Sequence, residues 1–170
     1  MKLSDLKCVN ENINLDEYIA FRDLVKKNME YPEWLGDFSK EDLAFLLQNG
    51  SKIWIYYDAD EPVCSMLLIP CDENALNSFD LSMKIKYSDV ADYGPMFVNP
   101  KYIGNQLQYQ MLKELDEYSL KLGYKYAICT VHPDNKYSIK NLLLDGFDLK
   151  RNKEFKRGVR NIYLKYIANE

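Results

Sequence analysis

Only one histidine, His132, occurs in the 170 residues, and the four cysteines, Cys8, Cys64, Cys71 and Cys129, form no closely spaced pair. Zinc and iron sites draw on thiols or imidazoles repeated at short spacing, so no metal site is expected. The scattered thiols read as small reduced apolar side chains, three of them inside strand-like segments. No stretch approaches the roughly 20 apolar residues of a membrane-crossing helix, and the opening Met1–Cys8 lacks the apolar core of a secretory leader. Clustered basic charge is missing as well: 22 Lys and Arg stand against 26 Asp and Glu, for a formal net charge of −4. Nucleic acids and anionic membranes recruit partners through clustered cations that displace counterions, so neither is an expected partner. A cationic amine suits the balance better. Repeats and low-complexity segments are absent too, and the chain reads as cytoplasmic.

What remains is ordinary globular material, 47% hydrophobic and 28% charged, sized for one domain over 1–170 with a sizeable core. The 14 tyrosines are dispersed and read as core and rim packing. Residues 3–9 suggest a first strand. Asn14 is a suitable N-cap for a helix over 15–28, with Tyr18, Phe21, Leu24 and Val25 as its apolar stripe. A second helix starts after Ser39, buries Leu43, Leu46 and Leu47, and stops at Asn49-Gly50. The link between the helices is aromatic and acidic, with Tyr31, Trp34 and Phe38. Runs 53–57 and 63–69 form a hairpin, and 70–83 is a polar interruption with room for a helical turn over 73–78. A long strand over 85–98 breaks or bulges at Gly94-Pro95. A helix over 105–122 and a buried strand over 126–131 complete a strand-helix-strand unit, which demands parallel pairing and a right-handed crossover. A short helix over 137–145, with Ile139, Leu142 and Leu143 inward, precedes final strands over 147–155 and 159–167; the tail after Ile167 reads as frayed.

The junction at 93–110 organises the rest. Met96, Phe97 and Val98 form strand, Asn99-Pro100 breaks it, and Gly104-Asn105 opens an amphipathic helix with Leu107, Met111, Leu115, Tyr118 and Leu122 in register. A glycine there permits close backbone approach, and the unpaired amides of a helix start favour a phosphate. The wording Pro100-Lys-Tyr-Ile-Gly-Asn-Gln-Leu-Gln108 resembles the pyrophosphate loop of the GNAT superfamily of N-acetyltransferases, Pro-x-Tyr-Arg-Gly-x-Gly-x-Gly. Thr130-Val-His-Pro-Asp-Asn135, then Ser138 and Gly146-Phe147, resembles the second half of that family's pattern, in the expected order and spacing.

The resemblance implies an α/β (α+β) fold: a mixed, mostly antiparallel sheet of about seven strands with about four helices. It implies that strands ending at Val98 and Val131 splay apart, so that unpaired backbone groups hold the pantetheine arm of acetyl-coenzyme A like an added strand. It also implies transfer of an acetyl group to a primary amine of a small molecule or peptide by direct attack, in a monomer or homodimer. Cofactor contacts map to Phe97, Val98, Ile103, Gly104, Asn105, Gln106, Leu107, Gln108, Asn135 and Ser138. Asn135 suits an N-cap equally, and both roles can coexist. Asp92 stands where some relatives carry a base, with a solvated turn carboxylate as the other reading. Strand alternation would place Asp92, Gly94, Met96 and Val98 on one face. The usual acid tyrosine position holds Leu142, leaving Tyr137 as the nearby phenol. Tyr31, Trp34 and Phe38 are acceptor-wall candidates, with helix packing as the alternative. Ile103 replaces the usual Arg, with Lys101 close by as a substitute cation, and Gln106 and Gln108 replace small residues. These departures keep open a second reading, a catalytically degenerate relative that binds coenzyme A or another ligand as a sensor or interaction module.

Overall fold

Residues 1–168 are described in the computed structural model of the protein, and the last part of the expected frayed tail, 169 and 170, lies outside the described residues. The fold is α/β, with eight strands in mostly antiparallel pairing and five α-helices among the described residues. It forms two compact units. The first is Met1–Ile69 with Gly94–Met111, and the second is Pro70–Tyr93 with the chain from Leu112 onward.

In the first unit, Asn14 Oδ1 accepts the backbone N–H groups of Asp16 and Glu17, which starts α1 at Leu15–Lys27. Ser39 and Asp42 exchange side-chain and backbone hydrogen bonds in a capping box that starts α2, Lys40–Gln48. A cap of this kind contributes about 1 kcal/mol. Strands β1 (Lys7–Val9), β2 (Lys52–Asp58) and β3 (Glu61–Pro70) pair antiparallel, and β5 (Phe97–Val98) pairs antiparallel to β3 at Cys64 and Ser65. Tyr18, Phe21, Val25 and Leu43 from the helices meet Ile53, Ile55, Leu67 and Phe97 from the strands in one apolar cluster. Phe97 is its hinge, 5.5 Å from the Tyr18 ring and 5.1 Å from the Phe21 ring. Leu24, expected on the buried stripe, is 47% exposed, because the stripe already closes through Tyr18, Phe21 and Val25.

In the second unit, β4 (Val90–Tyr93) pairs parallel to β6 (Tyr126–Val131), while β6–β8 (Gly158–Tyr166) and β8–β7 (Asp148–Phe155) are antiparallel. Asp72 Oδ1 accepts the Ala75 N–H at 2.7 Å and starts α3, Glu73–Phe79, a fuller helix than the single turn the polar stretch suggests. Cys71, Phe79, Val90, Ile128, Ile162 and Leu164 form its apolar cluster, with Phe155 packed against it. α4 (Leu107–Lys121) starts in the first unit and ends in the second, and α5 covers Lys136–Leu144.

Further expectations change. Residues 3–9 divide into a 3-10 turn at Leu3–Asp5 and the three-residue β1. The long strand over 85–98 breaks at a gap around Gly94-Pro95, as expected, into β4 and β5, but its start is a 3-10 turn at Tyr87–Asp89 instead of strand; with α3 this gives eight strands and five α-helices among the described residues. Gly94 lies in that gap, donating its N–H to Leu67 O at 2.8 Å; a Cβ there would stand 3.1 Å from the Leu67 side chain. On α5, Leu142 is buried but Leu143 is 54% exposed, one residue off the inward stripe. Cys8 is exposed, unlike the buried Cys64, Cys71 and Cys129.

Candidate functional site

The loop before α4 belongs wholly to the first unit. Asn99, itself buried, takes the Lys101 N–H on its Oδ1 and donates to Pro62 O at 2.9 Å, fixing the turn Pro100–Tyr102 against the start of β3. Gly104 then adopts φ +95° and Gln106 φ +55°. Open space lies where a Gly104 Cβ would project. Gln106 holds a left-handed conformation that disfavours a residue with a Cβ by about 1 to 2 kcal/mol. The loop therefore keeps the backbone path of a glycine at a position where none is present. The N–H groups of Gly104, Asn105, Gln106 and Leu107 make no hydrogen bond among the described residues. Four such donors at the positive end of a 15-residue helix form a ready anion receptor.

The side chains around the loop are mostly engaged elsewhere. Lys101 pairs with Glu61, which also accepts the Tyr102 hydroxyl at 3.0 Å, so the cation nearest the loop is held by β3. Ile103 is 72% exposed. Asn105 Nδ2 donates to Tyr102 O at 2.9 Å, and Gln110 bridges Asn105 O and the Leu3 N–H. On β5, Asn99 N–H donates to Val63 O, so by alternation the Val98 N–H is directed away from β3 and the Phe97 N–H toward it.

The expected acceptor wall divides. Tyr31 and Trp34 stack with centroids 4.5 Å apart around the turn Pro32–Trp34, and Tyr31 is exposed. Phe38 packs on the apolar cluster, and its carbonyl accepts from the buried Arg22, which also pairs with Asp37. Two hollows of about 340 Å³ each, sharing Glu17, Ile55, Tyr57 and Asp60, lie in the same unit and include none of the expected site residues.

In the second unit, Asp92 lies in β4 rather than in a turn, partly buried. Burial pushes its carboxyl up to about 7, opposed by the Arg157 guanidinium. The same burial, with Asp92 nearby, pushes the Cys71 and Cys129 thiols up to about 12. Asp92 has no hydrogen bond or ion pair among the described residues. Arg157 donates through Nη2 to Thr130 Oγ1 at 2.6 Å. Arg157 did not stand out in the sequence, lying between the two final strands, and Thr130 entered only as the first residue of the Thr130–Asn135 motif, with no role of its own. The signal was the alternation of β6, which puts Thr130 on the face of Ile128, the register partner of Asp92. Tyr93 and Phe97 are buried while 92 and 98 beside them are partly exposed, and the alternation lapses within the break, where 94, 95 and 96 are all partly exposed.

Asn135 caps α5, accepting the Ser138 N–H at 3.2 Å, and its Nδ2 makes no hydrogen bond among the described residues. Tyr137 is 84% exposed, whereas Leu142 is buried. His132 Nδ1 accepts the Asp134 N–H at 3.2 Å, which makes it part of the loop's own framework. Among the described residues, no cluster of three or more His, Cys, Asp or Glu is placed to hold a metal, and no helix is long and apolar enough to cross a membrane.

No protein-family description and no curated protein matches the sequence. Solved structures do match the coordinates. An N-acetyltransferase from Staphylococcus aureus Mu50 superposes with a TM-score of 0.69 at 11% identity, over 95% of this chain and 99% of that one. This is the GNAT fold. The ribosomal-protein-S18-alanine N-acetyltransferase of Escherichia coli shares it at a TM-score of 0.67 and 13% identity, over 96% of both chains. A Bacillus subtilis acetyltransferase solved in complex with coenzyme A gives 0.66 and 12%, over 95% of this chain and 98% of that one. Identities this low establish the GNAT architecture and carry no residue roles with them.

Proposed function

We propose that the protein is an acetyl-coenzyme-A-dependent N-acetyltransferase acting on a primary amine. The observation that carries this reading is the row of unbonded amides from Gly104 to Leu107, on a left-handed loop at the start of α4, within a GNAT fold. Those amides, with Ile103 and Gln108 flanking, are assigned to the diphosphate of the thioester co-substrate. The Val98 N–H is assigned to the thioester carbonyl, where a donor stabilises the developing oxyanion, with Phe97 holding the strand in place. Asn135 Nδ2 and Ser138 are assigned to the pantetheine arm. Tyr31 and Trp34 are assigned to the acceptor, and Phe38 supports them.

In the reaction, the acceptor ammonium gives a proton to Asp92, whose raised pKa suits a base acting near neutrality. The amine lone pair then forms the C–N bond at the thioester carbon. Collapse of the tetrahedral intermediate breaks the C–S bond, and coenzyme A leaves as a thiolate that takes up a proton. Tyr137 is the assigned phenolic donor for that proton.

A second reading, a coenzyme A sensor without turnover, is favoured by the loop side chains: Ile103 offers no charge and Lys101 is held by Glu61. Calorimetry with acetyl-coenzyme A and thiol release against a broad amine panel separate the two. The enzymatic reading expects binding and acceptor-dependent thiol release. Tight binding with silence across the panel supports the sensor, and absence of binding removes both.

A further inference from the structure

We infer that Arg157 receives the carboxylate of an amino-acid-type acceptor whose ammonium group is received by Asp92. The inference deepens the acetyltransferase reading and rests on it. Both residues belong to the second unit and lie at the polar end of one sheet face. On that face, Val90 of β4 is followed two residues later by Asp92, and Ile128 of β6 is followed two residues later by Thr130. Val90 and Ile128 belong to the apolar cluster, so Asp92 and Thr130 stand where the cluster gives way to polar groups.

Arg157 reaches this place from the β7–β8 turn and is anchored by a neutral hydroxyl, Thr130 Oγ1, at 2.6 Å. It is close enough to act electrostatically on Asp92 and Cys129, yet no ion pair joins it to Asp92 among the described residues. The contrast with Arg22 and Arg151 is plain. Arg22 is paired with Asp23 and Asp37, and Arg151 with Asp80. A partly buried carboxylate without a hydrogen bond is costly to keep. A guanidinium held near it, with most of its donors free, matches carboxylates bidentately.

Two opposite charges held near each other but unjoined are complementary to a molecule that carries both signs. Acetyl transfer demands an amine, which matches Asp92. Arg157 then disfavours polyamines and aminoglycosides, which carry only cations, and favours an amine that bears a carboxylate.

The test uses the whole protein with free amino acids and their decarboxylated amines as matched pairs. Two readouts are taken: the Arg157 side-chain Nε–H resonance, assigned by its loss in Arg157→Lys, and thiol release from acetyl-coenzyme A. At least one amino acid is expected to shift that resonance and to be turned over with kcat/KM about 100-fold above its amine. Arg157→Ala should raise its KM at least tenfold while leaving the paired amine and the acetyl-coenzyme A affinity unchanged, with Arg157→Lys intermediate. Equal turnover within pairs, an equal loss for both members in Arg157→Ala, or a resonance that no amino acid moves would each overturn the inference. Failure of acetyl-coenzyme A to bind would instead remove the acetyltransferase reading, and the resonance would still decide whether Arg157 takes a carboxylate.

Discussion

Gln110 accepts the Leu3 N–H on its Oε1 at 2.9 Å and donates from its Nε2 to Asn105 O at 3.0 Å. One side chain on the first turn of α4 thus joins the anion-binding loop to a segment 107 residues away in sequence. Gln110→Ala removes these two bonds and a third, from Nε2 to Met1 O at 3.2 Å, and leaves the loop backbone freer. The expected result is a several-fold weaker acetyl-coenzyme A affinity by calorimetry, with a stability loss of about 1 kcal/mol. Glu at 110 should recover the Leu3 bond alone.

Gly104 and Gln106 make opposite predictions for the same loop. Gly104→Leu places a side chain at φ +95° in open space, so the protein should fold with a cost of about 1 to 2 kcal/mol while acetyl-coenzyme A binding is lost. Gln106→Gly relieves a left-handed strain and should stabilise by roughly 0.5 kcal/mol after the entropic cost of glycine, with binding intact. Denaturant melts and calorimetry on the two variants check both statements.

Asp92 should mark the pH dependence. Its folded pKa of about 7 lies above the ordinary carboxylate value, so the native state holds a proton that the unfolded chain releases. Stability should therefore fall as pH rises from about 4 to about 7 and level off above, by on the order of 4 kcal/mol relative to Asp92→Asn. The charged group acting on Asp92 is Arg157, while Cys71 and Cys129, whose thiols Asp92 helps to raise to about 12, stay neutral in this window. Activity should show the reverse slope: kcat/KM rises through an acid limb near 7, and Asp92→Asn lowers it about 100-fold and flattens that limb.

Lys165 holds two carboxylates at once. It bonds Asp116, which accepts the Tyr93 hydroxyl at 2.8 Å, and it bonds the fully buried Asp145 at 3.0 Å; Lys113 takes the other oxygen of Asp145 at 2.6 Å. Burial raises the pKa of Asp116 despite Lys165. Lys165→Met leaves these carboxylates short of a counter-charge and should cost about 3 kcal/mol at neutral pH. The penalty should shrink as acid neutralises Asp116, which melts at two pH values would reveal.

The sequence was most legible where local chemistry decides structure. Asn14 and Ser39 cap the helices they were expected to cap, and the Gly104 junction folds as loop and helix start. It was least legible where a decision rests on tertiary partners. Leu24 and Leu143 fit a helical stripe as well as their buried neighbours do, and only the packed cluster leaves them outside. In the strand over 85–98 the break at Gly94-Pro95 was legible from the residues, but the tertiary partner that shapes it, Leu67, more than 20 residues away, was not, nor was the 3-10 turn at Tyr87–Asp89. Arg157 could not be associated with Asp92 from spacing, since the link between them is β6, which pairs with β4 at Ile128 and holds Arg157 through Thr130.

The outermost strand, β7, has one neighbour in the sheet order and is exposed along most of its eight residues. A backbone edge of that length invites a second molecule to zip onto it. Lys150, Arg151 and Lys153 discourage that outcome, because a symmetric antiparallel self-pairing of the strand would press Lys150 against Lys153. The positive trim on this border of an otherwise acidic protein is thus a guard against fibrous self-association.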